Sequence, residues 1–227
     1  MNKFLLFAGF CITCFGCKNK IDFNPKPGSH IVIVGNTFAD RMQHYGYFES
    51  ILQQNFPDKK LVIRNLGWSA DEPNLQPRPL NFGTMNEHLS DQKADIIFMC
   101  YGMNESFKGP DSLQAYKTIL DNYIKDLAAH KFNGVSAPQL ILVSPIAHES
   151  IGGEYPDGAA HNTDLKSYTA AMQEVAADNH IGFIDLFHPS AEEMKKRRIT
   201  INGIHLNDTG HQLASGWMAA SLGLKPG

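Results

Sequence analysis

Charge of one sign is scarcely in excess in this chain. Its 20 Lys and Arg face 23 Asp and Glu, a net of -3 over 227 residues. So even a balance gives no electrostatic reason to expect nucleic acid or an anionic membrane surface as a partner. The basic run Lys195–Lys196–Arg197–Arg198 reads as a solvated face near a helix end. Cysteine is scarce as well. Of four, Cys11, Cys14 and Cys17 fall near the start, and Cys100 stands alone in the remainder, so no internal disulfide forms there. Cys100 ends an apolar run and reads as a small buried hydrophobe. Beyond the expected leader there is no HExxH and no paired-cysteine spacing, so the common zinc signatures are missing from the domain and no cofactor or metal is implied. The apolar run Phe4–Phe15 is too short for a comfortable membrane span. What is present is ordinary: 43% hydrophobic and 19% charged residues, enough for one domain with a real core.

The start of the chain differs from the rest. One early lysine precedes the run Phe4–Phe15, as in an export signal. Gly16 before Cys17 resembles a bacterial lipoprotein cleavage site, although Cys14 stands where leucine is usual. The expected organisation is a signal peptide at 1–17 ending in a lipid-bearing Cys17, a tether at 18–29 holding Pro25, Pro27 and Gly28, and a domain at 30–227. A bacterial cell-envelope location, with the membrane engaged through a lipid anchor on Cys17, follows as an expectation.

Within the domain, short β-branched or apolar runs alternate with helical patterns. Strands are predicted at 31–34, 61–63, 95–100, 139–143 and 181–185. Helices are predicted at 39–54, 84–89, 112–129, 163–179, 191–197 and 209–222, with a polar, Gly-rich loop at about 148–162. Alternation of this kind builds βαβ units and a mostly parallel five-stranded sheet in a three-layer α/β/α sandwich, flavodoxin-like in class. The ligand site of such a fold lies at the C-terminal edge of the sheet.

Four segments place unusual residues at that edge: Gly35-Asn36-Thr37, Asn65-Leu66-Gly67-Trp68-Ser69, Gly102-Met103-Asn104 and Asn202-Gly203-Ile204-His205. A hydroxyl, a histidine, an amide and glycine N–H groups meeting on one rim suit acyl transfer. The four blocks in this order resemble the SGNH (GDSL-type) hydrolase superfamily over essentially the whole domain. The resemblance implies a nucleophile at Thr37, a base at His205, an oxyanion hole from Gly67 N–H and the Asn104 side chain, and an orienting group at Asn202. It further implies an ester hydrolase whose substrate is a small molecule or an envelope or dietary glycan, acetylated in the simplest case.

This chain departs from the family pattern at its chemical centre. Thr37 replaces serine, and its extra methyl restricts χ1. Asn36 replaces the aspartate beside it. Asn202 replaces the carboxylate that orients the base, and an amide cannot stabilise imidazolium as a carboxylate does. Thr37 therefore reads as a nucleophile or as a helix N-cap, His205 as a base or as a turn histidine, and Asn104 as an oxyanion donor or as a turn residue. Asp40, Asp71, Glu105 and Asp208 are the acids near enough in sequence to replace the missing carboxylate, or else to activate water directly. Trp68 reads as a sugar-stacking or acyl-pocket residue. The loops at 71–83 and 148–162 are long enough to wall a cleft. The alternative function is a non-catalytic ligand-binding protein that retains the esterase cleft.

Overall fold

The computed structural model describes residues 21–226. The expected signal peptide, Cys17 and the first residues of the tether lie outside these. Five strands form one sheet: β1 (His30–Gly35), β2 (Val62–Asn65), β3 (Ile96–Cys100), β4 (Gln139–Val143) and β5 (Gly182–Ile184). Their order is β2-β1-β3-β4-β5, and every pairing is parallel.

Side chains alternate between the two faces of a strand, and each face here has its own core. Ile31, Ile33, Phe98, Cys100, Ile141 and Val143 face one side. Val32, Val34, Ile97, Met99, Leu140 and Leu142 face the other. The first side is covered by α1 (Thr37–Met42), α2 (Tyr47–Asn55), α7 (Phe187–Met194) and α8 (Asp208–Ser221). The second is covered by α3 (Met85–Asp91), α5 (Leu113–Ala129) and α6 (Ala159–Asp178). Both faces of the middle strands are thus sealed, which explains their unbroken apolar runs. Each fully buried large side chain, such as Phe98 or Ile141, contributes about 1.5–3 kcal/mol.

The expected architecture is present, with four local corrections. Residues 21–29 are no tether: Ile21 and Phe23 are buried, and Phe23 packs edge-on against Phe56 and tilted against Phe98. Gln139 Nε2 donates to Asp22 O at 2.7 Å, and Gly28 N–H donates to Lys59 O. The predicted helix 39–54 is two helices, because the chain turns through Gly46 at φ 65°, a left-handed conformation that glycine adopts without a Cβ penalty. The helix expected from 163 begins at Ala159, which shortens the polar loop. The helix expected at 191–197 begins at Phe187 and ends at Met194.

The chain reverses direction across the sheet between β1 and β3, the switch point where doubly wound folds open a crevice at their strand ends. The turn after β1 begins α1, and the turn after β3 begins a short helix, α4 (Met103–Ser106).

Candidate active site

Those two turns, with the loop before α8, bring Thr37, Asn104 and His205 around one small cavity of about 30 Å³. That volume holds two or three water-sized groups. Asn36, not Thr37, caps α1: its side chain accepts from Phe38 N–H at 3.1 Å. Thr37 is the first helical residue, so its own N–H has no intrahelical acceptor. Asn104 is held at the start of α4 by Gly102, whose φ of 99° and lack of a Cβ allow Met172 and Pro145 to approach closely. Its Nδ2 donates to Asp71 O at 3.3 Å, which leaves the second amide hydrogen unused.

The turn carrying His205 is tied down from below. The Glu149 carboxylate accepts from Ile199 N–H at 3.0 Å and Thr200 N–H at 2.8 Å. Thr200 Oγ1 in turn accepts from Gly203 N–H at 3.0 Å. Asn202 Oδ1 accepts from the backbone N–H of His205 at 3.0 Å, so the other end of the amide, Nδ2, faces the ring and donates to Nδ1 at 3.0 Å. The consequence is chemical. Nδ1 is an acceptor, so the neutral ring carries its proton on Nε2. A general base acting through Nε2 needs the opposite tautomer, which a carboxylate at 202 would select. Burial, followed by the charge of Arg41, pushes the His205 pKa below its ordinary value and keeps the ring neutral.

None of the four nearby acids replaces the missing carboxylate. Asp40 accepts from Ser69 Oγ and Gln43 Nε2, Asp71 forms a bidentate pair with Arg78 at 2.7 and 2.6 Å, and Asp208 accepts from Tyr47. Glu105 Oε2 accepts from Gly102 N–H at 2.8 Å, while its Oε1 is buried without a partner among the described residues. Burial pushes its carboxyl up to about 7. No hydrogen bond joins Thr37 to His205, whose bonded ring nitrogen faces Asn202.

Gly67 is placed differently from the expectation. Its N–H donates to Asn65 Oδ1 at 2.8 Å, and it lines a neighbouring cavity rather than the one at His205. Its lack of a side chain serves packing: a Cβ there would lie 2.5 Å from Asp40 N and 2.6 Å from the Ala39 carbonyl carbon. The neighbouring cavity, about 560 Å³, lies along the other part of α1, with Asp40, Gln43, Asn65, Trp68, Gln76, Arg78 and Phe82 on its walls. The Arg78 guanidinium stacks 4.5 Å from the Trp68 ring centroid. The loop at 71–83 therefore walls a cavity, as expected; the loop at 148–162 lines neither.

Two features were missed from sequence. Arg78, in a Pro-rich loop, gave no sign of pairing with Asp71 beneath Trp68. The second is a buried relay: Ser106 Oγ donates to Met103 O at 2.7 Å and meets His161 Nε2 at 2.8 Å, and His161 Nδ1 meets His148 Nδ1 at 3.1 Å. Burial lowers both histidines, His161 to about 4, so one shared proton joins two neutral rings. His148 also packs on Gly203, where a Cβ would lie 2.9 Å from its Nε2. The relay thus links the Asn104 helix to the His205 turn.

The family model for the GDSL-like lipase/acylhydrolase family matches residues 34–213. Among solved structures, a catalytic mutant of an acetylxylan esterase from Geobacillus stearothermophilus is similar at 16% identity and a TM-score of 0.70, over 88% of this chain and 97% of that one. A second acetyl xylan esterase is similar at 16% identity and a TM-score of 0.64, over 85% and 99%. A gut microbial diltiazem-metabolizing enzyme is similar at 18% identity and a TM-score of 0.71, over 90% of this chain but 49% of that one, so this chain spans about half its length. At these identities the likeness is one of fold. No curated protein matches the chain.

Proposed function

The chain belongs to the GDSL-like lipase/acylhydrolase family, and from that premise we propose that it hydrolyses short-chain acyl esters, acetyl above all, carried on a glycan at the bacterial cell envelope. The observation that carries this reading is the meeting of Thr37, Asn104 and His205 around a cavity of acetyl size. The cavity along the rest of α1 suits a polyhydroxylated leaving group: the Asp40 carboxylate and the Gln43 side chain lie on its wall, and Trp68, 43% exposed, offers a ring face. The acetylxylan esterases of similar fold support the glycan. The envelope location rests on the leader sequence, and labelling with a radioactive fatty acid that disappears in Cys17→Ser tests it.

In this mechanism Thr37 Oγ1 attacks the acyl carbon. The developing oxyanion receives hydrogen bonds from Asn104 Nδ2 and the Thr37 N–H. The hydroxyl proton passes to His205 Nε2 and then to the leaving alcohol oxygen. Nε2 takes a proton only after the ring shifts its own to Nδ1 and Asn202 turns its amide, which breaks the bond to His205 N–H. Turnover is therefore slow. Water then releases the acid from Thr37 by the reverse sequence.

The test is hydrolysis of 4-nitrophenyl acetate and butyrate by wild type, Thr37→Ala and His205→Ala. Acetate turnover that is lost in both variants, with butyrate at least tenfold poorer, is expected. Loss in His205→Ala alone would replace the covalent step with activated water. A second reading, a binding protein on the esterase fold, is favoured by the Asn202–His205 bond, and no hydrolysis of any ester by folded wild type would establish it over the first.

A further inference from the structure

The buried relay of Ser106, His161 and His148 ends at the surface. Ser106 Oγ spends its one hydrogen on Met103 O at 2.7 Å, so toward His161 it accepts, and the His161 proton lies on Nε2. His161 Nδ1 is then an acceptor, filled by the Nδ1–H of His148 at 3.1 Å. His148 is held in turn by Asn162, whose side chain accepts from His148 N–H and donates to His148 O, both at 2.8 Å. Both nitrogens of the His161 ring are thus committed, and a flip would set ring carbons against Ser106 and His148. On this fixed ring lies Phe107, centroid to centroid 3.9 Å and inclined by 23°. Phe107 is 57% exposed, so one face rests on His161 and the other meets solvent.

An exposed apolar side chain is ordinary, but this ring is braced from behind and stands beside the acyl site. Phe107 follows Asn104 by three residues, and its N–H donates to Asn104 O at 3.3 Å, so the two side chains share a face with Cβ atoms about 5–6 Å apart. Along the sheet order β2-β1-β3-β4-β5, the cavity lies at the ends of β1 and β3, Trp68 follows β2, and Phe107 leans on α6, the helix after β4. Two aromatic faces therefore flank the cavity. Lys108, paired with Glu72, and Asp111 are exposed next to Phe107 in the chain. A bilayer or a long acyl chain over Phe107 would strip water from these charges. A sugar instead lays its C–H face on the ring and turns its hydroxyls toward them.

We propose that Phe107, braced by His161, is a second sugar-stacking residue, and that the substrate is an internal acyl-bearing unit of a glycan chain that runs from Trp68 across the cavity to Phe107; this deepens the glycan reading of the site and rests on it. The brace lowers the ordering cost of binding, because the ring is already immobile when the sugar arrives. It also gives the buried relay a purpose, since its hydrogen bonds fix the one ring on which Phe107 lies.

Titration calorimetry of the full chain, in a Thr37→Ala background that stops turnover, tests this with partially O-acetylated xylohexaose and acetylated xylose as probes. The hexasaccharide reaches both rings and is expected to bind the parent at least about tenfold tighter than the monosaccharide. Phe107→Ala is expected to weaken the hexasaccharide about tenfold. Phe107→Tyr, which keeps the ring, is expected to bind as the parent does, and Phe107→Leu, which keeps apolar bulk without a ring face, as Phe107→Ala does. The side chain is exposed, so these variants fold. Equal affinity of the parent for the two probes, hexasaccharide affinity unchanged in Phe107→Ala, or affinity kept in Phe107→Leu would each overturn the proposal. So would release of the protein from phosphatidylcholine vesicles by Phe107→Ala, which makes the ring a membrane contact. Trp68→Ala in the same titration separates the two readings. Hexasaccharide binding weakened by Trp68→Ala and not by Phe107→Ala sinks the second platform alone, and no hexasaccharide binding by the parent sinks the glycan reading with it.

Discussion

Asn202→Asp is the perturbation that most directly probes the chemistry. The two side chains have the same shape, so Oδ1 keeps its bond from His205 N–H at 3.0 Å. The other oxygen then replaces an N–H donor at 3.0 Å from Nδ1, and Nδ1 must carry the proton. Nε2 is left bare as an acceptor. A carboxylate about 4 Å from an imidazolium, at an effective dielectric of about 20, is worth about 4 kcal/mol, or about three pKa units in favour of the charged ring. That reverses the present depression of His205 by burial and Arg41. The opposite exchange in a serine protease costs about four orders of magnitude through the wrong tautomer. The threonine methyl limits the gain here, so kcat/KM on 4-nitrophenyl acetate is expected to rise about 10²- to 10⁴-fold, or about 3–5 kcal/mol. Activity should increase with pH through the His205 pKa, and the variant should move that rise to higher pH. Nitrogen-15 shifts of the ring report the tautomer independently. If the shifts show protonated Nδ1 in the variant and the rate stays within threefold of wild type, the tautomer does not limit the proposed hydrolysis.

Further outcomes follow from the same geometry. Gly203→Ala forces a Cβ at φ +97° to within 2.9 Å of His148 Nε2 and 3.0 Å of Glu149 O; a loss of about 1–3 kcal/mol, about 2–4 °C per kcal/mol in a chain of this size, should appear in a thermal melt. Glu105 has a folded pKa raised to about 7, so its favourable contribution is complete below about pH 4.5 and lost as pH rises through 7. Glu105→Gln lacks that loss and should gain on wild type by up to about 3 kcal/mol between pH 4.5 and pH 8, and a difference that does not vary with pH would contradict the assignment. His161 and His211, both lowered to about 4, act oppositely: their neutral forms favour the fold above about pH 6.5, and that contribution is lost as pH falls through 4. His211→Asn should flatten the acid limb of the melting curve. Trp68→Ala should raise KM for an acetylated oligosaccharide about tenfold and leave 4-nitrophenyl acetate unchanged; equal effects on both would place Trp68 outside the glycan site.

Sequence alone determined the layers and brought three residues of the candidate site to one rim. The three middle strands were legible because both of their faces are buried, which leaves runs such as Ile31–Val34 and Ile96–Cys100 without polar interruption. Thr37, Asn104 and His205 could be placed together because strand ends in a parallel sheet share one rim. The exchange of aspartate for Asn202 was equally plain, and so was the doubt it cast on catalysis. Tertiary structure decided what that exchange does. Only the turn geometry shows which end of the Asn202 amide meets the ring, since His205 N–H claims the oxygen first. Only packing shows that Gly67 is glycine because the α1 backbone lies against it, and that its N–H is spent on Asn65. Ile21 and Phe23 looked like linker because two apolar residues in a polar stretch carry no period, and they acquire meaning only against Phe98 and Phe56. Arg78 with Asp71, and Ser106 with His161 and His148, were invisible for a related reason. Hydrogen bonds between residues 7 to 55 positions apart follow no helical or strand spacing, so local periodicity has nothing to say about them, and the fold alone brings the partners within reach.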